Sequence, residues 1–223
     1  MGETVSLKTS DDKQIAAYLA RPAAAGKAGI VVVQEILGVN SHIRSVTDRF
    51  AAVGYLAIAP AFFDRLKPGV DMGYEPQDIL AGRDLAMALT PEQILADLGA
   101  GIGWLRAAGC QKIGVVGFCF GGTVAWRAAS QPHVDATVCY YGGNIYGNRD
   151  LRPRVPTMLH FAEKDAYIPV AHAHALAAQY PELPIYTYPA EHGFHCDERS
   201  DYDEAAAKQA WARTLEFLAK HLA

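Results

Sequence analysis

Six short apolar runs, at residues 30–33, 55–59, 113–117, 136–141, 157–161 and 185–188, recur along the chain with helix-patterned segments between them. Several carry apolar side chains at successive positions, the pattern of strands covered on both faces, which is a parallel-sheet signature. Ahead of them, residues 5–7 and 14–19 flank the polar Ser10-Asp11-Asp12-Lys13 and read as an antiparallel hairpin added at one edge. The expectation is an α/β chain: a three-layer sandwich with a mostly parallel sheet of about eight strands. Its 223 residues, with 51% hydrophobic and 20% charged, supply a sizeable core and lie far from the composition of disorder.

Helix signals fall in the gaps. Residues 41–53 end at Gly54, and Thr90-Pro91-Glu92-Gln93 combines a hydroxyl N-cap, Pro at N1 and Gln at N3. Trp211, Leu215, Leu218 and Leu222, at spacings of four, three and four, predict a closing amphipathic helix. The least regular stretch, 62–74, contains Pro68, Gly69 and Gly73 and reads as a loop or lid over a site. With no internal repeat or low-complexity linker, residues 1–223 are expected to form one domain.

Charge and hydropathy narrow the partners. Twenty Lys and Arg against 24 Asp and Glu give −4, so nucleic acid is not expected as a partner. The longest aliphatic run, 30–33, falls far short of a membrane span, and the polar N-terminus lacks the apolar core of a secretory signal. A cytoplasmic protein, monomeric or a small homo-oligomer, is expected. Cys110, Cys119, Cys139 and Cys196 form no C-x-x-C pair, which argues against a disulfide framework.

The chemistry centres on Gly117-Phe118-Cys119-Phe120-Gly121-Gly122, a G-x-C-x-G turn between a strand and a segment of good helical character. A nucleophile in so tight a turn needs small neighbours two residues away on each side, and Gly117 and Gly121 meet that need. The turn lifts Cys119 above the strand ends and leaves the Phe120 N–H free at a helix start, where the dipole favours thiolate and oxyanion alike. Two plainer readings compete: a small buried hydrophobe, or glycines cradling a phosphate. Neither G-x-G-x-x-G nor the Gly-Lys-Ser/Thr ending of a P-loop is present. A thiol nucleophile needs a base, and the base an acid, in the chain order nucleophile, acid, His. Asp165 follows the run at 157–161 and His192 follows the run at 185–188, both in loops beyond strand ends.

These residues resemble the dienelactone hydrolase family of the α/β-hydrolase fold over nearly the whole chain. The likeness rests on Gln34-Glu35-Ile36-Leu37-Gly38-Val39-Asn40, the elbow 117–122, Tyr140-Tyr141-Gly142, Asp165 ahead of Ile168-Pro169, and His192-Gly193-Phe194. The resemblance implies Cys119 as nucleophile, His192 as base and acid, and Asp165 as the group that holds His192. It implies an oxyanion hole from the N–H groups of Phe120 and Ile36, and a role for Glu35 in generating thiolate from the resting thiol. A carboxylate just past a hydrophobic strand is partly desolvated and suited to taking a proton from a neighbouring thiol.

One departure bears on substrate. Family members are thought to grip the carboxylate of dienelactone with two arginines, one of them four residues beyond the catalytic histidine, where this chain has Cys196. For the other, Arg83 is the candidate, set about one helical turn away. A cysteine cannot supply planar bidentate donors, so neutral esters or another lactone are the expected substrates. Tyr74, Tyr140 and the Phe62-Phe63 region are the candidate walls. The expected reaction is acyl transfer with no cofactor. His192, His195 and Cys196 cluster in sequence, and His172 and His174 are two apart, but no H-E-x-x-H or paired C-x-x-C is present, and no metal is expected. The rival is a non-catalytic scaffold that binds a ligand or senses oxidants through Cys119. Such a sensor needs neither Asp165 nor His192 at loop ends, and Cys139, in a strand, is a poor resolving thiol.

Overall fold

A computed structural model describes residues 2–24, 26 and 28–223. The chain opens with a hairpin of β1 (Glu3–Lys8) and β2 (Gln14–Ala20), followed by β3 (Ala28–Val33), α1 (Ser41–Ala52), β4 (Leu56–Pro60), α2 (Pro76–Ala88) and α3 (Pro91–Ala107). Next come β5 (Lys112–Phe118), α4 (Phe120–Ala128), β6 (Ala136–Tyr140), β7 (Thr157–Ala162), α5 (Val170–Gln179), β8 (Ile185–Tyr188) and α6 (Glu204–His221). The described strands form one eight-stranded sheet in the order β1-β2-β4-β3-β5-β6-β7-β8. β2 pairs antiparallel with β1 and with β4, and every other pairing is parallel. This is the α/β-hydrolase architecture expected from the sequence.

The strand residues explain the order. Every residue of β3, β4, β6 and β7 is buried, as it must be when helices cover both faces, whereas β2 alternates because one of its faces is wetter. Facing residues show the three layers. A Cβ on Gly114 would meet Leu218 and Leu222 at the end of α6, while one on Gly29 would meet Leu105 of α3. Register pairs Ile30 with Gly114 and Gly29 with Ile113, so α6 and α3 lie on opposite faces. α1 joins α6, with Phe50 and Trp211 packed at 4.6 Å between ring centroids.

Caps set the helix starts. Asn40 accepts from the Ile43 N–H at the head of α1, and Thr90 and Gln93 form the reciprocal capping box predicted for α3. In α6 the buried stripe is rotated from the predicted one. Leu218 and Leu222 are buried, but Trp211 and Leu215 lie at its edge while Ala210, Thr214 and Phe217 complete it. Polar Thr214 belongs there because its hydroxyl meets the Tyr140 hydroxyl at 2.6 Å and His160 Nε2 at 3.1 Å.

Residues 62–74 form a loop tied to the rest of the fold by hydrogen bonds. Phe62–Arg65 forms a 3-10 turn with both phenylalanines buried, and Asp64 accepts from the N–H groups of Ala16 and Gly69. Met72 N–H donates to the Leu37 carbonyl, and Gly38 bridges to Asp71. Arg65 is sealed between Asp97, at 2.7 Å, and Asp11, at 2.6 Å.

Among the buried polar groups, His160 makes acid sensitivity testable. Burial, with the Arg213 charge, depresses its imidazole to about 3 from the usual 6.5. Below pH 6.5 the unfolded chain takes up a proton that the native state refuses, so stability present above 6.5 is lost as pH falls toward about 3. His160 alone contributes a slope of up to about 1.4 kcal/mol per pH unit in that window. Urea unfolding of His160→Gln as a function of pH should show the flatter acid limb; an unchanged slope would contradict a neutral buried imidazole.

Candidate active site

The C-terminal ends of β3, β5, β6, β7 and β8 converge on one side of the sheet, and the candidate residues sit on the turns that leave them. The β5–α4 turn is built by close approach. A Cβ on Gly117 would lie 1.9 Å from the Gly121 carbonyl oxygen, and one on Gly121 would lie 2.3 Å from that of Val33. No side chain fits at either place. Cys119 itself adopts φ 53° and ψ −113°, a conformation that typically costs on the order of 1–3 kcal/mol for a residue with a side chain. It is held by its own N–H, which donates to the Tyr140 carbonyl, and by the Gly122 N–H, which donates to the Cys119 carbonyl.

Cys119, His192 and Asp165 form one hydrogen-bonded line. His192 Nε2 lies 3.2 Å from Cys119 Sγ, and Nδ1 lies 2.7 Å from Asp165 Oδ2. Asp165 Oδ1 accepts from the N–H groups of Tyr167 and Ile168, which fixes the carboxylate. Burial acts to lower the affinity of the His192 imidazole for a proton, but the charge of Cys119 and the bond to Asp165 outweigh it, pushing the group up to about 10. The ring is flanked by Tyr141 and Tyr167 at centroid distances of 5.1 and 5.2 Å.

Phe120 opens α4, so its N–H has no partner within the helix. Ile36 lies in the turn after β3, with its carbonyl tight against Gly82 of α2, where a Cβ would come within 2.0 Å of the oxygen. Phe62 and Phe63 back the Phe120 ring at 6.3 and 6.0 Å, so as buried side chains they support the elbow and do not form an open substrate wall.

Glu35 belongs to a second group of side chains. Its Oε2 accepts from the Tyr74 hydroxyl at 3.2 Å, and that hydroxyl also accepts from the Cys196 thiol at 3.0 Å and from Asn40. Burial, with the Glu35 charge, raises the Cys196 thiol to about 12. Among the described residues Glu35 Oε1 has no hydrogen-bond partner, and no hydrogen bond joins Glu35 to Cys119, whose sulfur faces His192. Arg199 lies with its guanidinium 5.5 Å from the Tyr74 ring centre and pairs with Asp201 at 2.9 Å.

Tyr140 requires a correction. It is fully buried, its ring stacks on Phe118 at 4.6 Å and its hydroxyl meets Thr214, so it is core and not a substrate wall. The residue turned toward the site is Tyr141, with φ 36°, whose hydroxyl is raised well above its usual range by burial and then by the charges of Glu35, Cys196 and Cys119. Arg83 is exposed on α2 and, among the described residues, makes no ion pair. Tyr74 does reach the site, through its hydroxyl. The sequence cluster His192, His195, Cys196 separates in space: His192 meets Asp165, Cys196 meets Tyr74, and His195 packs between Phe118 and Trp211. Tyr141, His42 and Arg199 were not singled out by sequence reasoning. For Tyr141 the signal was present, since it lies beside Tyr140 in the matched Tyr-Tyr-Gly.

Comparison with known proteins bears on this arrangement. A sequence model described as "Dienelactone hydrolase family" matches residues 15–222. A "Putative carboxymethylenebutenolidase" of Synechocystis sp. is 38% identical, the alignment covering 98% of this chain and 99% of the relative. The "Carboxymethylenebutenolidase" of Pseudomonas putida is 32% identical, with 97% and 96% covered. A solved structure from Klebsiella pneumoniae, called a "Putative Dienelactone Hydrolase", superposes with a TM-score of 0.85 at 29% identity, covering 99% of this chain and 98% of that one.

Proposed function

Since the chain belongs to the dienelactone hydrolase family and is a hydrolase of that kind, we propose that it cleaves a carboxylic ester or lactone through an acyl thioester on Cys119. The observation that carries this reading is the line from Cys119 Sγ through His192 to Asp165, with spacings of 3.2 and 2.7 Å. The thiolate attacks the carbonyl carbon, and its oxygen takes the negative charge within reach of the Phe120 and Ile36 N–H groups. The C–O bond then breaks, and His192 gives its proton to the departing alkoxide. Neutral His192 next draws a proton from water, which attacks the thioester; the thiolate leaves and the acid is released. Asp165 keeps Nδ1 protonated so that Nε2 faces the sulfur.

Neutral esters fit the site best. Cys196 stands where the family's second arginine would be, Arg83 is exposed on α2, and Arg199 already pairs with Asp201. An aryl ester, whose good leaving group makes deacylation the slow step, should leave an acid-stable acyl adduct when turnover is quenched. Peptide mapping should place it on Cys119, and an adduct elsewhere, or turnover with none, would overturn the proposal.

A further inference from the structure

Behind the nucleophile, three side chains from separate parts of the chain converge with ligand atoms and too few partners. Glu35 leaves β3, His42 lies in the first turn of α1, and Cys196 follows the His192 turn. One oxygen, one ring nitrogen and the sulfur of these residues all lie within 4.8 Å of one another. Glu35 and His42 are 2% and 1% exposed, and Cys196 is fully buried. Glu35 Oε1 and both His42 ring nitrogens lack a hydrogen-bond partner among the described residues. A buried polar atom left unpaired typically costs on the order of 1–3 kcal/mol, so a carboxylate and an imidazole that each keep unpaired buried atoms beside the Cys196 sulfur call for an occupant.

We propose that Glu35, His42 and Cys196 form a binding site for a divalent transition-metal ion of the zinc class. Carboxylate oxygen, imidazole nitrogen and thiolate sulfur together make a donor set of intermediate softness, which suits Zn²⁺ and excludes Mg²⁺ or Ca²⁺. Zinc bonds of about 2.0–2.3 Å set neighbouring tetrahedral ligands roughly 3.5 Å apart, so side-chain movements of about an ångström close the present spacing. On binding, the Cys196 S–H bond breaks, its proton goes to solvent, and sulfur gives its electron pair to the metal. The thiolate and the Glu35 carboxylate then balance the dication. The Cys196 hydrogen bond to Tyr74 is given up on binding. Asp197 Oδ1, 3.7 Å from His42 Nδ1, stands where an outer carboxylate would orient the ring of a ligating histidine.

The test uses the full-length protein, with Zn²⁺ and Co²⁺ as probes. Because Cys119 and His192 are themselves a thiol–imidazole pair, titrations are run on the parent and on Cys119→Ala, Cys196→Ala and His42→Gln, each checked for native circular dichroism. Competition with a chromophoric chelator should give one Zn²⁺ per chain in the parent and in Cys119→Ala. Affinity should fall more than about 100-fold in both Cys196→Ala and His42→Gln, since loss of an outer partner alone costs 10–100-fold. Co²⁺ should bring a sulfur-to-metal charge-transfer band that persists in Cys119→Ala and vanishes in Cys196→Ala. No stoichiometric binding in the parent, or binding lost with Cys119 and kept without Cys196, would overturn the site. None of these readouts depends on hydrolysis, so they stand apart from the catalytic proposal.

Discussion

Cys119→Ala is expected to lower kcat/KM for a neutral aryl ester by about 10⁴–10⁶-fold, with circular dichroism and unfolding midpoint near those of the parent. The size follows from how the site divides its tasks. On the proposed mechanism, loss of the sulfur removes the covalent intermediate, while the Phe120 and Ile36 N–H groups would still favour a tetrahedral oxyanion. Residual catalysis of about 10³–10⁴ over water is therefore expected from the hole and from binding alone. Stability should change little because Cys119 occupies a strained backbone conformation, φ 53°, that alanine shares at similar cost. His192→Ala should fall by a comparable factor, since base and nucleophile act as a unit and their losses do not add. Undiminished turnover in either variant would remove the thiol from the mechanism and return weight to a non-catalytic scaffold.

Arg65→Ala should destabilise the fold by about 3–5 kcal/mol, the range typical when one partner of a buried ion pair is removed. Arg65 is 2% exposed in its side chain and Asp97 0%, and the guanidinium Nε reaches both Asp97 oxygens at 2.8 Å. Removing the arginine leaves the Asp97 carboxylate buried on α3 without its counter-charge. For a domain of this size each kcal/mol moves Tm by about 2–4 °C, so a loss of roughly 6–20 °C is expected in thermal melts. The double variant Arg65→Met with Asp97→Leu, which removes both charges and keeps volume, should recover most of that loss. Because Arg65 also anchors the turn that carries Phe62 and Phe63 beneath Phe120, the single variant should lower kcat as well, whereas KM should shift less. A melt unchanged within a degree would mean that the pair is solvated in solution.

The parallel strands were legible because burial on both faces writes itself as unbroken apolar runs, as at 30–33, and needs no knowledge of neighbours. The elbow was legible for a steric reason: only glycine fits at 117 and 121, where carbonyl oxygens come within 1.9 and 2.3 Å of a Cβ position. α2 and α5 escaped notice. In α2 only Gly82 is buried, and in α5 only Ala173 and Leu176, so neither helix carries a stripe wide enough to read. The choice of Tyr140 over Tyr141 failed at the strand end. Tyr140 is the last residue of β6 and stacks on Phe118, whereas Tyr141, beyond the strand with φ 36°, sets its ring 5.1 Å from that of His192.

What the sequence determined by itself was local or ordered along the chain: strand character, caps, the glycines of the elbow, and the succession Cys119, Asp165, His192. Each of these depends on sterics or hydrogen bonding within a few residues, or on topology that fixes which strand ends share a side of the sheet. Tertiary structure alone decided which side chains meet across the loops. It set Cys196 within 4.8 Å of Glu35 and His42, seated Thr214 against His160, and fastened 62–74 through Arg65. Those outcomes turn on rotamers and on distances of a few ångströms between segments far apart along the chain, and hydrophobic periodicity carries no information about either.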